Sequence, residues 1–385
     1  MAFGVYIHIP YCVKKCPYCD FNSWGIKGSF PESDYTESVL RELELYRDEI
    51  EGRELTSVFF GGGTPSLFDP GSIERIIAKI YGLTSPVPDI EVSLEVNPKT
   101  ADLVKLRGLR EAGVNRISVG VQSFSERKLE FLGRINTPED GRRILDDVRS
   151  AGFRNYNFDL MYGTGDETPE EWRRDLEEAV TFGSTHISAY CLTIEKGTEF
   201  GALFSKGKLL LPGEEALSEF INFTTSFLAE AGYSQYEISN YSRPGFECRH
   251  NLLYWKGEDY IGLGAGAHSH LRNTEGSPWG LRRANVRPPV SYMKAVGEGK
   301  RPVDFSERLT MEEAVEDRII MGFRLNEGLD VKGLRKNYGV SPDKARIESL
   351  SDDGFIEMSG DIIRLTKKGT LLSDEIIVRL VSSLG

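Results

Sequence analysis

The first half of the chain alternates two spacings of apolar residues. Short runs of β-branched, aromatic or aliphatic residues at 5–9, 58–60, 90–96, 117–121, 156–161 and 187–192 read as strands. Helical spacing fills the stretches between them, at 34–51, 71–81, 101–112, 138–151 and 169–182. Two of these helices carry clear start signals. Thr137-Pro138-Glu139-Asp140 and Thr168-Pro169-Glu170-Glu171 each offer a capping hydroxyl, a proline in the first turn and early acids that suit the helix dipole. Strand–helix alternation of this kind predicts parallel strands joined by crossover helices. The expected fold is α/β, a partial (β/α)6 TIM-like barrel, with a doubly wound open sheet as the alternative. Either places a ligand site at the carboxyl ends of the strands.

After a further helical stretch at 214–231 the pattern changes. Residues 233–241 read as extended, 251–270 as aromatic and glycine-rich, and 282–290, ending in Pro288-Pro289, as a connection. From Thr310 onward helical spacing returns, with a helix at 345–353 stopped by Gly354. Two short runs, 355–358 and 362–365, then flank Ser359-Gly360-Asp361 as a hairpin. The expected organisation is a barrel over 1–232, a connecting region over 233–300, and a small C-terminal α+β, winged-helix-like unit over 301–385.

Composition narrows the function. Among 385 residues, 39% are apolar and 28% charged, the balance of a soluble globular protein. No run approaches the ~20 apolar residues of a membrane span. The first residues lack the basic and apolar regions of a secretory leader, so a cytoplasmic location is expected. A net charge of −12 opposes general nucleic-acid binding, which needs a basic footprint, and makes docking the better role for the winged-helix-like unit. Of the five cysteines, three fall within residues 12–19, a clustering that points to metal rather than to disulfides.

Those three, Cys12, Cys16 and Cys19, directly follow the first strand. Spacings of four and three let one loop wrap three thiolates around a cubane corner and leave a fourth iron open. Structural zinc would require a fourth Cys or His nearby; His8 is in reach but lies within the strand, where packing or a hydrogen bond explains it better. The C-x3-C-x2-C spacing after the first strand of such an array is the radical S-adenosylmethionine (SAM) signature. In that superfamily the open iron is chelated by the amino and carboxylate groups of SAM, and reductive cleavage yields methionine and a 5′-deoxyadenosyl radical. Phe60-Gly61-Gly62-Gly63-Thr64-Pro65, after the second strand, matches the superfamily's methionine-binding loop, where glycines allow close backbone approach.

Closer resemblance lies in Tyr6-Ile7-His8-Ile9-Pro10-Tyr11-Cys12, Glu95-Val96-Asn97-Pro98, Gly120-Val121-Gln122-Ser123-Phe124 and Asp159-Leu160-Met161-Tyr162-Gly163. Together with the glycine loop, these resemble the oxygen-independent coproporphyrinogen oxidase family through nearly the whole chain. By positional match, the family's SAM contacts fall on Tyr6, Tyr18, Gly62, Gly63, Thr64, Glu95, Gln122, Arg134 and Asp159. The haem-chaperone branch is favoured over the oxidase by Phe21, where the oxidase has a further cysteine, and by the short segment before the first strand. A third sign is His250-Asn251-Leu252-Leu253-Tyr254-Trp255, which matches that branch's H-N-x-x-Y-W motif. There His250 is an expected axial ligand for haem, with Tyr254 and Trp255 as an aromatic wall. Local bonding by His250 and core packing by the aromatics is the competing reading. Cys248 is a second candidate thiolate, better explained as a buried small residue.

The resemblance implies a 4Fe–4S cluster, SAM and haem as cofactors and no assigned catalytic side chain. It also implies recipient haemoproteins, respiratory ones in particular, as partners, with any membrane association peripheral and through those partners. Either a monomer or a dimer is compatible. The alternative activity is the radical decarboxylation of propionates by an anaerobic coproporphyrinogen III oxidase, and the third reading is a zinc metalloprotein. One departure stands out: Gly163-Thr164-Gly165-Asp166-Glu167-Thr168 replaces the family's Gly-Leu-Pro and Gln-Thr elements after the fifth strand.

Overall fold

The computed structural model describes residues 2–272, 274, 276–370 and 372–382. Six parallel strands form its centre: β1 (Phe3–Ile9), β2 (Glu54–Gly62), β3 (Ser85–Val96), β4 (Arg116–Gln122), β5 (Asn155–Tyr162) and β6 (His186–Cys191). They lie side by side in chain order, each parallel to the next. Helices Glu32–Leu45, Pro70–Leu83, Leu103–Glu111, Pro138–Ser150 and Pro169–Thr181 return the chain between them. The α/β barrel expected from the spacing is therefore observed. Both predicted helix starts close as capping boxes, Thr137 with Asp140 and Thr168 with Glu171.

The strands alternate their faces sharply. Outward positions such as Val5, Ile7, Val58, Phe60, Val92, Leu94, Ile117 and Val119 are fully buried beneath the helices. The opposite face carries Tyr6, Glu95, Ser118, Asn157, Asp159 and Ser188, all of which line a cavity inside the barrel. An apolar outer layer thus holds the helices while the lumen is polar.

The segment expected as a connection continues the sheet at both edges. β7 (Ser234–Gln235) and β8 (Asn240–Ser242) pair antiparallel beyond β6. β9 (Asp259–Leu263) pairs parallel with β1, and β10 (His268–Leu271), β11 (Leu281–Asn285) and β12 (Val303–Arg308) follow it antiparallel. The stretch read as a connection at 282–290 is a strand followed by the helix Pro289–Gly297. The motif at 250–255 lies in the short helix Arg249–Trp255. Glu91, on β3, accepts from the backbone N–H groups of Arg249 and His250 and so satisfies the first turn of that helix.

At the carboxyl end, helices Val331–Tyr338, Lys344–Asp352 and Ser373–Val381 pack with a three-stranded sheet around their own core. Ile362–Leu365 lies between Leu329–Asp330 and Ile356–Ser359, the helix-and-hairpin composition of a winged-helix-like unit. Among the described residues no helix is long and apolar enough to cross a membrane.

Candidate functional site

The cysteine loop leaves β1 through the two-residue pairing of Tyr11–Cys12 with Trp24–Gly25. Its path is held by backbone bonds from Trp24 to Pro10 (2.7 Å), Ile26 to Cys12 (2.8 Å) and Cys19 to Cys16 (3.1 Å). Asn22 donates to the carbonyls of Ala265 (2.9 Å) and Arg287 (2.8 Å), and the Lys14 ammonium donates to Gly133 (3.0 Å). His8 is spent in the same scaffold. Its Nε2 meets the Asn22 carbonyl at 2.8 Å, its Nδ1 meets the Tyr6 hydroxyl at 3.0 Å, and burial lowers its pKa to about 4.

Each thiol has its own polar neighbour. Thr64 Oγ1 donates to Cys12 Sγ at 3.5 Å, Arg134 Nη1 to Cys16 Sγ at 3.8 Å, and Ser23 Oγ lies 3.9 Å from Cys19 Sγ. Burial pushes the Cys12 and Cys19 thiols upward, an effect that a coordinated cation reverses. All three cysteines face one cavity of about 460 Å³ at the carboxyl ends of the strands. Among the described residues no fourth cysteine and no histidine lines that cavity, and no three potential ligands converge on a single-ion site. Three separated thiols with donors behind them and open space in front suit a polynuclear cluster with one free corner.

Glycine is required where the loop after β2 approaches. A Cβ on Gly63 would lie 2.7 Å from the Tyr11 carbonyl oxygen and 2.8 Å from that of Ile9. At Gly62 it would strike the His8 ring, and the backbone there has φ 109°. Thr64 Oγ1 also accepts from Asn97 Nδ2 at 2.8 Å, and Asn97 Oδ1 accepts from Arg134 Nη2 at 2.7 Å. Arg134 further donates to Gly120 O (2.7 Å) and Asn136 Oδ1 (3.1 Å). Thr64, Asn97 and Arg134 thereby form one polar strut between two of the thiols.

Eight of the nine family-matched SAM positions line this cavity with the cysteines: Tyr18, Gly62, Gly63, Thr64, Glu95, Gln122, Arg134 and Asp159. Gln122 holds a left-handed backbone (φ 70°), the only positive φ outside glycine among the described residues, at an irregularity in the β4–β5 register. Tyr6 instead lines a second, inner cavity of about 280 Å³, which shares Glu95, Ser118, Asp159 and Tyr190 with the outer one. Burial, then the Asp159 charge, pushes Glu95 up to about 8, against one hydrogen bond from Gly62 N–H at 3.1 Å. Burial likewise raises Asp159 to about 6, partly offset by the Ser188 and Ser118 hydroxyls and by Arg116 and Arg134.

His250 and Tyr254 sit at the far wall of the inner cavity, while Trp255 lines neither space. His250 is not free to act as the axial ligand expected of it. Ser57 Oγ occupies its Nδ1 at 2.8 Å and the Tyr254 hydroxyl its Nε2 at 2.9 Å, in a side chain only 1% exposed. Cys248 is buried with its thiol 3.5 Å from a Glu91 carboxylate oxygen, and burial pushes that thiol up to about 12. The loop that departs from the family's wording is closed internally: Glu167 accepts from Thr164 N (3.0 Å) and Oγ1 (3.1 Å) and pairs with buried Lys128.

No motif singles out Asn97 as a strut, nor Arg116, Ser118, Asn157, His186 and Ser188, which line the inner cavity. Their signal was a period-two polar series: Arg116-Ser118-Gly120-Gln122, Asn155-Asn157-Asp159 and His186-Ser188-Tyr190.

Residues 6–179 match the Radical SAM superfamily model, and 309–372 match the HemN C-terminal domain. The chain is 36% identical to the heme chaperone HemW of Escherichia coli (strain K12), with 97% of each chain covered. The chain belongs to the heme chaperone HemW family. It is 34% identical to HemW of Bacillus subtilis (strain 168), again with 97% of both chains covered. Radical S-adenosyl methionine domain-containing protein 1 of Danio rerio, a mitochondrial protein, is 32% identical over 99% of this chain and 87% of its own. The solved structure of Escherichia coli coproporphyrinogen III oxidase (HemN), a radical SAM enzyme, superposes with a TM-score of 0.83. It is 23% identical, covers 99% of this chain and 90% of its own, and shares the fold with this HemW-family chain.

Proposed function

We propose that this chain is a haem-carrying radical SAM protein. Cys12, Cys16 and Cys19 hold three irons of a 4Fe–4S cluster, SAM occupies the adjoining cavity, and haem is bound for transfer to haemoproteins, respiratory ones among them. The observation that carries the cluster assignment is the 460 Å³ cavity on which three thiols open with, among the described residues, no fourth cysteine and no histidine. Family membership over nearly the whole chain supports the haem role.

When bound, the cluster supplies one-electron chemistry at the SAM sulfonium. The chain's own residues hold and shield that site. Thr64 and Arg134 donate toward Cys12 and Cys16, and the Gly62–Gly63 backbone lets the methionine end approach. Glu95 and Asp159 offer carboxyl oxygens to an ammonium group or ribose hydroxyls on the opposite wall. Tyr18 and Gln122 complete the lining.

Anaerobic reconstitution followed by iron and sulfide analysis tests the cluster, and a change in its paramagnetic spectrum on adding SAM tests the open corner. Haem added to the same sample should give a saturable Soret change at about one equivalent per chain. A colourless protein that retains zinc overturns the cluster, and a flat haem titration overturns the carrier role. Formation of protoporphyrinogen under anoxia would assign the oxidase activity instead.

A further inference from the structure

The inner cavity, about 280 Å³ within the barrel, is lined by a cation that the protein itself leaves without a hydrogen bond. Arg116, on β4, is 2% exposed, and among the described residues it is the only lysine or arginine on that lining. No group among the described residues accepts a hydrogen bond from its guanidinium; the nearest carboxylate oxygen belongs to Glu91, 3.9 Å from Nε. Glu91 is engaged elsewhere, by the backbone N–H groups of Arg249 (3.1 Å) and His250 (3.2 Å) and by the Cys248 thiol (3.5 Å). A guanidinium taken out of water in this way is costly until an anion meets it.

Sheet register sets further unpartnered groups one rung above. Arg116 pairs with Asn155, Ser118 with Asn157 and Asn157 with His186, and Asp159 then faces Ser188. Successive rungs on one face lie ~6.6 Å apart, a distance the long arginine side chain spans. His186 offers a donor. The Tyr236 hydroxyl accepts from Asn251 Nδ2 (3.3 Å), which turns its own proton to His186 Nε2 (3.0 Å) and leaves the ring proton on Nδ1, buried and without a partner. Burial, then the Arg116 charge, lowers the pKa of that ring and keeps it neutral. Asn157 offers an acceptor. Its Nδ2 donates to Ser118 Oγ (2.8 Å) and Asp159 Oδ1 (3.1 Å), which fixes the amide and leaves Oδ1 buried and unpaired. Along the remaining wall Tyr6 stacks on Phe59 (centroids 6.2 Å) and Phe59 on His250 (5.3 Å).

We propose that the inner cavity binds a small organic acid that carries an amino or hydroxyl group beside its carboxylate. The carboxylate lies on the Arg116 guanidinium and the His186 Nδ1–H, and the ammonium or hydroxyl donates to Asn157 Oδ1 and Asp159. An apolar substituent rests on the aromatic wall. A plain anion would leave the acceptors unmet and bring a second negative charge beside Asp159. Glu95, the other carboxyl on this space, holds its proton up to about 8 and adds no charge at neutral pH. The volume falls just under the ~300–1,000 Å³ common for ligand pockets, which limits the guest to a small molecule. This inference goes beyond the haem-carrier reading and does not depend on it.

The test is calorimetry on full-length reconstituted protein, titrated with L-alanine or L-lactate in the presence of saturating SAM. At least one of the two acids should bind saturably in the millimolar range or below, and their ranking tells whether the ammonium or the hydroxyl is preferred. L-alaninamide, which lacks the carboxylate, should not bind. Arg116→Gln should weaken binding by on the order of tenfold or more, while Arg116→Lys, which keeps the charge, retains part of it. The proposal is overturned if neither acid binds, if L-alaninamide binds as well as L-alanine, or if Arg116→Gln binds like wild type. Should Arg116→Gln not fold, wild-type crystals soaked with the tighter acid decide: carboxylate density on Arg116 supports the site, and water alone there overturns it.

Discussion

Glu95→Gln isolates the cost of a carboxyl group buried at the junction of the outer and inner cavities. In the unfolded chain this acid ionises near its ordinary 4.5, whereas in the folded protein burial and Asp159 hold its proton until about 8. Between those values the folded state binds more protons than the unfolded state, so this group's contribution is fully present below 4.5 and is lost as pH rises through about 8. At about 1.36 kcal/mol per pH unit, the loss amounts to about 3 kcal/mol by pH 7 and about 5 kcal/mol above pH 8. Glutamine has no such dependence and keeps an oxygen for the Gly62 N–H bond that Glu95 accepts at 3.1 Å. Urea unfolding of the full chain without cluster, under anoxia from about pH 5 to about pH 8, should therefore show the variant gaining about 3 kcal/mol or more on wild type across the range. Stability curves that run parallel with pH would show that Glu95 ionises normally, and the electrostatic account of this wall would be wrong.

Other substitutions probe separate parts of the construction. Gly63→Ala forces a Cβ to within 2.7 Å of the Tyr11 carbonyl oxygen, a backbone clash no rotamer relieves; a loss of about 2 kcal/mol and failed cluster reconstitution, read by iron content, should follow. Lys128→Met strands the buried Glu167 and Asp175 carboxylates, the latter 2.8 Å from the ammonium, and should cost about 3–5 kcal/mol in denaturant unfolding. Gln122→Gly relieves about 1 kcal/mol of left-handed backbone strain, partly offset by the freedom glycine adds to the unfolded chain. Its stability should stay within about 1 kcal/mol of wild type while calorimetric SAM affinity drops, and an unchanged affinity would remove Gln122 from the binding wall.

What was legible in the sequence followed from how local each signal is. The six central strands and their helices were readable because apolar spacing, capping threonines and first-turn prolines agree within each segment. The cysteines were readable because one loop carries all three. The helix Arg249–Trp255 was not, because its first turn is satisfied by Glu91, more than 150 positions earlier, and no local residue announces it. Strands β9–β12 were missed for a related reason. Two of them, β11 with Arg282 and Arg283 and β12 with Asp304 and Glu307, carry charges that a propensity reading assigns to loops, and they are strands because each pairs with its neighbour. His250 drew attention through its motif, yet the structure commits both its nitrogens, to the Ser57 hydroxyl and the Tyr254 hydroxyl.

The polar lumen itself needs an explanation, because stability alone argues against it. Arg116 is 2% exposed, its closest carboxylate is 3.9 Å away at Glu91, and its Nε has no hydrogen-bond partner. Asn157 Oδ1 and His186 Nδ1 are likewise buried without partners on the same inner cavity. Each such group costs about 1–3 kcal/mol relative to a satisfied one, and apolar side chains of similar volume would fill the barrel at lower cost. Selection for stability would have closed this space, as the fully apolar outer face shows the chain is able to do. A lumen that keeps unpaired donors and acceptors beneath the glycine loop is organised for polar atoms that arrive from outside. Since Glu95 and Asp159 belong to both cavities, whatever enters the inner one meets the same carboxyl groups as the outer cavity above it presents.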